Sequence, residues 1–307
     1  MRVAVWKTGH EIADTVAQAT FDGLRQLNGR NRFCETVCIG DCNVYKRNNT
    51  LEETVNFFDV HICYGILRGT ADVFKSAKHW FEIDRGYTNP HHYSGNYRIS
   101  YRGTQARWHE GIPTGSSNGR TSPFEGVNLG SSPSPVTIEP WRKDDPSKPV
   151  LVCPPTLAVD AFFGLGAWID WLPENRVIRD KGDSTPIDWD AYRAVITFNS
   201  SVGWEAIRRG IPCLSDVNHS LVGSFYGETD LEKLIQKSLM QPDRRQELFD
   251  TMAAHQFTLE EIKQGKAWPL INPYVSGSVM TTGKPSQPMS ASIPSKSTLS
   301  ALYQSNT

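Results

Sequence analysis

The sequence predicts an α/β protein made of two doubly wound domains with parallel sheets. Three observations carry that expectation. Short apolar runs alternate with segments of helical spacing, a Gly-, Ser- and Pro-rich stretch divides them midway, and 307 residues suffice for two cores of ordinary size. The 32 Lys and Arg against 33 Asp and Glu give a formal net charge of -1, so no global basic field recruits nucleic acid. No apolar run approaches the roughly 20 residues of a membrane helix, and the opening MRVAVWKTGHEIAD turns polar too soon for a signal peptide. A cytoplasmic protein without integral membrane association is expected.

In the first half, Arg2 to Trp6 (RVAVW) reads as a strand. After Lys7-Thr8-Gly9 comes a helix on which Ile12, Val16, Ala19, Gly23 and Leu27 share one face. Cys34, Cys38 and Cys42 form a C-x3-C-x3-C run that matches neither zinc nor ferredoxin spacings, so they read as small buried hydrophobes and no metal is expected. Further strands are expected at Val60 to Tyr64 and Trp80 to Asp84, with a helix from Ala71 to Lys78 between them.

Ligands of open parallel sheets collect at strand carboxyl ends. Lys7, Arg68 and the run Asp84-Arg85-Gly86-Tyr87 therefore converge on one crevice. There Asp84 or Arg85 can act as base or electrostatic partner for an attacking hydroxyl, against the plainer reading of a loop-capping Asp. From Arg85 to His109 no acid occurs, while Arg98, Arg102 and Arg107 alternate with Tyr87, Tyr93, Tyr97, Tyr101 and Trp108. Positive charge interleaved with aromatic faces suits a glycan acceptor or a nucleic-acid backbone. The competing reading is a strand with Tyr97, Ile99 and Tyr101 on one face.

Between Ile112 and Pro149 the composition shifts to Gly, Ser, Pro and Asn, which reads as loop or linker. The expected organisation is a first domain over 1–125, a linker over 126–149, a second domain over 150–272 and a disordered tail over 273–307, rich in Ser, Thr and Pro. The second domain opens with a strand at Val150 to Cys153 and a helix from Ala158 to Asp170. Strands near Arg176 to Arg179 and at Ala194 to Phe198 follow, then helices at Trp204 to Arg209, Asp230 to Leu239 and Leu259 to Ala267. Arg179 and Lys181 lie just beyond a strand, where two cations suit a pyrophosphate or a sugar carboxylate. Asp188-Trp189-Asp190 is a D-x-D, but it precedes its strand, so it reads as a turn and cap rather than a metal site.

The densest signal is RAVITFNSSVGWEAIRRGIPCLSD, Arg193 to Asp216. An apolar strand ends in Asn199-Ser200-Ser201, Gly203 admits the chain to a helix near Trp204, and Gly210-x-Pro212 ends that helix before a new strand. N–H groups at such a helix start, with two hydroxyls and an amide, make a cradle for phosphate. The pattern Glu205-Ala206-x-x-x-Gly210-x-Pro212 resembles the nucleotide-sugar-binding helix of GT-B glycosyltransferases. The longer string NSSVGWEAIRRGIP is most similar to capsule-polysaccharide and Kdo-type transferases and to glycosyltransferase-like proteins of tailed phages.

The resemblance implies two Rossmann-like domains facing a central cleft. It also implies a metal-independent transfer of sugar from a nucleotide-sugar donor to a hydroxyl acceptor, a glycan or a modified DNA base. No cofactor is implied beyond the nucleotide-sugar co-substrate, and the site is the cytoplasm, the host's if the chain is viral. Glu205 would hold the donor ribose, Asn199, Ser200, Ser201 and Gly203 its phosphates, and Arg179 and Lys181 would supply the family's basic residues. A sugar-nucleotide epimerase and a non-catalytic binding protein on the same fold are the alternatives.

Overall fold

A computed structural model describes residues 2–27, 33–38, 51–66, 69–87, 95–102, 137–166, 172–240 and 243–267. Its first strand, β1 (Arg2–Lys7), is buried over its four central residues, as expected of a strand covered on both faces. From it the chain winds through α1 (Glu11–Leu27), β2 (Phe33–Cys38), α2 (Leu51–Phe57), β3 (Val60–Tyr64), α3 (Thr70–Ser76), β4 (Trp80–Arg85) and β5 (Asn96–Tyr101). β1 pairs in parallel with β2 and β3, and β3 with β4. Alternation then sorts side chains to two faces. Val3, Val5, Val60, Ile62, Phe81 and Ile83 face α1, whereas Ala4, Trp6, Cys63 and Trp80 face α2 and α3.

The sheet departs from the expected all-parallel form at its far edge. β5 runs antiparallel to β4, and β10 (Gln256–Thr258) runs antiparallel to β5, giving the order β10-β5-β4-β3-β1-β2. Tyr97, Ile99 and Tyr101 do share one face of β5, and Tyr97 and Ile99 are buried there. α9 (Leu259–Lys263) starts at a capping box between Thr258 and Glu261 and packs on α1, where a Cβ at Gly23 would stand 2.0 Å from the Ile262 carbonyl oxygen. The chain therefore returns to the first sheet inside the span expected to form the second domain, 150–272.

The second sheet is wholly parallel, in the order β7-β6-β8-β9. Its strands are β6 (Val150–Cys153), β7 (Arg176–Ile178), β8 (Ala194–Thr197) and β9 (Cys213–Ser215). Between them lie α4 (Leu157–Phe163) and α5 (Ser201–Arg208), and α6 (Leu221–Tyr226), α7 (Leu231–Met240) and α8 (Arg245–Ala254) follow. Leu234 and Ile235 of α7 cover one face over Val150, Val152, Ala194 and Ile196. Trp204, Ile207, Leu221, Leu248 and Phe249 cover the other. Each such fully buried large side chain contributes about 1.5–3 kcal/mol of hydrophobic stabilisation.

Several expectations shift in detail. α5 begins at Ser201 rather than near Trp204, because Ser200 caps it. α2, α6, α8 and β10 carry no signal strong enough to be expected. Residues 137–149, expected as linker, are fixed to the second half: Arg193 binds Asp144 through two 2.9 Å bonds, and Arg142 donates to the Arg209 and Trp189 carbonyls. Buried Arg245 donates to the carbonyls of Glu139 and Ile207 while its guanidinium lies 4.1 Å from the Trp141 ring centroid. Asp188 caps the short 3-10 turn Trp189–Ala191, as expected for the D-x-D. The tail over 273–307 and Cys42 fall outside the described residues, among which no helix is long and apolar enough to cross a membrane.

Candidate functional site

The carboxyl end of β8 is built as a tight turn. Thr197 Oγ1 donates to the Cys153 carbonyl and accepts from the Ser200 N–H at 3.2 Å, tying the ends of β6 and β8 together. Ser200 accepts from the Val202 N–H through its hydroxyl and from the Gly203 N–H through its carbonyl. Two of the donors expected to meet phosphate are thus satisfied inside the turn, and the Ser200 hydroxyl serves as helix cap. Ser201 remains exposed at the first turn, beside partly buried Asn199. Gly203 is buried, and a Cβ there would lie 3.1 Å from Cys213 Sγ.

Glu205 sits one turn further along α5. Its Oε2 lies 3.1 Å from Arg208 and 3.7 Å from Arg209, with 26% of the side chain exposed. Gly210 explains the G-x-P stop: its φ is 71°, and a Cβ would stand 2.0 Å from the Pro140 carbonyl oxygen. At the end of β7, Arg179 closes its own loop, binding Asp183 Oδ2 at 3.1 Å and the carbonyls of Asp183 and Thr185. Lys181 is exposed in that loop.

Three further residues, two after β9 and one in α4, went unassigned in the sequence. Asp216, just after β9, accepts from the backbone N–H groups of Asn218 and His219 and from His219 Nδ1 at 2.8 Å. Burial raises the Asp216 carboxyl, but these donors outweigh it and hold it below the ordinary carboxylate range. The His219 ring lies 4.3 Å from Phe163 and 5.4 Å from Phe198, which immediately precedes Asn199. Asp160 in α4 keeps a buried Oδ1 without a hydrogen-bond partner among the described residues, and burial raises its pKa against a bond from Gly166. The only sequence signal for the dyad is an acid and a histidine three apart after a strand.

At the carboxyl end of β4, Asp84 and Arg85 point to opposite faces. Asp84 Oδ2 pairs with Arg98 Nη2 at 2.7 Å across the β4–β5 register, and Arg98 Nη1 donates to the Arg85 carbonyl at 2.8 Å. The Arg85 side chain reaches Tyr64, whose hydroxyl is raised to about 12 chiefly by burial and the nearby Asp84 charge. Tyr87 is buried in the apolar cluster of the second half, and Arg98 lies 5.7 Å from its ring centroid. Lys7 ends β1 and donates to Gln18 Oε1 at 2.8 Å. Arg102 lies beyond the other end of β5, its N–H on the Trp80 carbonyl, so the structure does not bring it to Arg98. Arg68, Arg107 and Trp108 lie outside the described residues. Between the halves, Phe162 of α4 packs edge-on against Phe74 and Trp80 of the first.

No protein-family model matches the chain, and no curated protein matches it. Among solved structures, it is similar to Thermosulfurimonas dismutans KpsC, beta Kdo 2,7 transferase, at 11% identity and a TM-score of 0.36, over 88% of this chain and 100% of that one. It is also similar to Thermosulfurimonas dismutans KpsC, beta Kdo 2,4 transferase, at 11% identity and a TM-score of 0.40, over 90% of this chain and 98% of that one.

Proposed function

We propose that this chain is a metal-independent glycosyltransferase of the GT-B type, moving a sugar from a nucleotide-sugar donor to a hydroxyl acceptor in the cytoplasm. The observation that carries the reading is the β8–α5 unit. A capped turn ends a parallel strand, exposed Ser201 and partly buried Asn199 flank the helix start, and a carboxylate, Glu205, stands one turn along. Partial positive charge at a helix start stabilises the developing charge on a departing nucleotide phosphate without requiring a metal. Glu205 would exchange its partners Arg208 and Arg209 for the ribose hydroxyls, while Lys181 approaches the phosphates.

In the first half, Asp84 is the base for the acceptor hydroxyl and Arg98 holds it in place. The acceptor is read as a glycan. Arg98 is engaged with Asp84 and Arg102 lies at the other end of β5, so among the described residues β5 offers no row of cations to follow a phosphate backbone. Incubation with a radiolabelled donor and glycan acceptors, followed by product separation, tests the proposal. Transfer of label to an acceptor is expected; conversion of the donor sugar without an acceptor would assign an epimerase instead.

A further inference from the structure

The face of the first sheet that carries Asp84 continues inward with an unusual row. Cys63, Glu82 and Ser100 are register partners across β3, β4 and β5, one pleat (about 7 Å) inside the row of Asp84 and Arg98. All three are buried, with Glu82 at 2% exposure. Among the described residues, Glu82 Oε2 and Ser100 Oγ have no hydrogen-bond partner. A carboxylate in that setting would carry a charge out of water with one oxygen unsatisfied, which the neutral acid avoids. Charged and titratable groups facing it are Cys63 on β3, Asp84 on its own strand and Arg98 on β5, with Tyr87 beyond Arg98.

We propose that Glu82 is a positioning residue for Asp84, a buried carboxylic acid that leaves the charge of the Arg98 guanidinium to the carboxylate at the strand end. Arg98 is the register partner of Asp84 and lies diagonally from Glu82 across β4 and β5, so an ionised Glu82 would compete with Asp84 for its charge, whereas a neutral acid attracts it far less. With Glu82 neutral, no second carboxylate of β4 draws on the charge of Arg98 in its 2.7 Å pair with Asp84, and the two acids of one strand take different protonation states, as acid–base sites require. Burial first, and the Asp84 charge second, push the Glu82 carboxyl well above its ordinary range, against the opposing pull of Arg98. Ionising Glu82 would draw Arg98 inward and loosen Asp84. The inference rests on the proposed role of Asp84 for its catalytic meaning, but its structural content stands apart from that role.

The test is carbon-13 NMR of the full chain with labelled Asp and Glu carboxyls, followed from mildly acidic to alkaline pH. Asp84→Asn and Glu82→Gln assign the two resonances, and the wild-type titration itself needs no variant. One Glu carboxyl is expected at the neutral-acid position at pH 7 and to be missing in Glu82→Gln. As it ionises, the Asp84 resonance should move in step in the wild type and stay still in Glu82→Gln. An ionised Glu82 at pH 7, or an Asp84 resonance indifferent to it, would overturn the proposal. Wherever transfer is measurable, the wild type should lose rate on the alkaline side and Glu82→Gln should not. Full transfer by Asp84→Asn would remove the base role from Asp84 and leave the NMR result on Glu82 intact.

Discussion

The two sheets treat ionisable groups in opposite ways. The first buries His61, Cys63 and Glu82 along one face of β3, β4 and β5 and carries the partly buried Asp84–Arg98 pair on the same face. The second fills β6, β8 and β9 with apolar residues, hydroxyls and two thiols, Cys153 and Cys213, and keeps its charges on its exposed edge strand β7, in loops and on helix flanks, as in Arg193 with Asp144 and Glu232. The contrast bears on the proposed sites. In the first half a site residue is also a sheet residue, so altering it disturbs fold and site together. In the second half the polar groups sit on the loop and helix after β8, and the strands beneath them are scaffold alone.

That contrast predicts an asymmetric response to acid. His61 accepts from Trp6 Nε1 at 3.1 Å, and burial lowers it from 6.5 to about 4 despite the carbonyls of Phe58 and Val55 that favour its protonated form. The unfolded chain takes up that proton first, so the stability His61 confers is complete above about 6.5 and is lost as pH falls toward about 4. The loss should be about 3 kcal/mol. Hydrogen exchange across that window should show β1, β3 and β4 losing protection while β6 and β8 keep theirs, and His61→Gln, which preserves an acceptor for Trp6, should flatten the response. Equal losses in both sheets would break the comparison.

Arg98→Ala should destabilise the chain by about 2–3 kcal/mol, less than a fully buried pair because 34% of the Asp84 side chain meets solvent. Urea denaturation measures it, and a change below a few tenths would place the pair among ordinary surface bridges. In the second half the largest effect of a site residue on stability should be smaller. Ser200→Ala removes the α5 cap and should lower stability by about 1 kcal/mol, and a loss as large as that of Arg98→Ala would contradict the division between scaffold and site.

Much of this architecture was legible because periodicity reports burial. Val60–Tyr64 and Val150–Cys153 stand where spacing puts them, and Val16 and Ala19 of the expected α1 face reach the core, which Ala17 and Leu24 complete. β10 was not, because three residues, Gln256–Thr258, carry no period and pair with β5 across about half the chain. The acid-free Arg and aromatic segment looked like one surface, yet strand geometry sends Arg98 and Arg102 to opposite ends of β5. Ser200 was read as a phosphate ligand because a hydroxyl at a helix start fits both cap and ligand, and only geometry separates them. Glu82 was hidden in WFEID, where one acid among apolar residues looks incidental until its register partners are known. Asp216 and His219 make their dyad through a turn that strand and helix periods do not describe.

The central claim is that the β8–α5 unit binds the nucleotide of a sugar donor, and calorimetric titration tests it most directly. UDP, GDP, CMP and dTDP sugars are titrated into the wild type, Glu205→Ala and Asp84→Asn. One nucleotide class should bind the wild type, bind Glu205→Ala more weakly by about 1.5–3 kcal/mol, and bind Asp84→Asn unchanged. If no nucleotide sugar binds the folded wild type, or if Glu205→Ala binds as tightly, the donor site is not at α5 and the account is wrong.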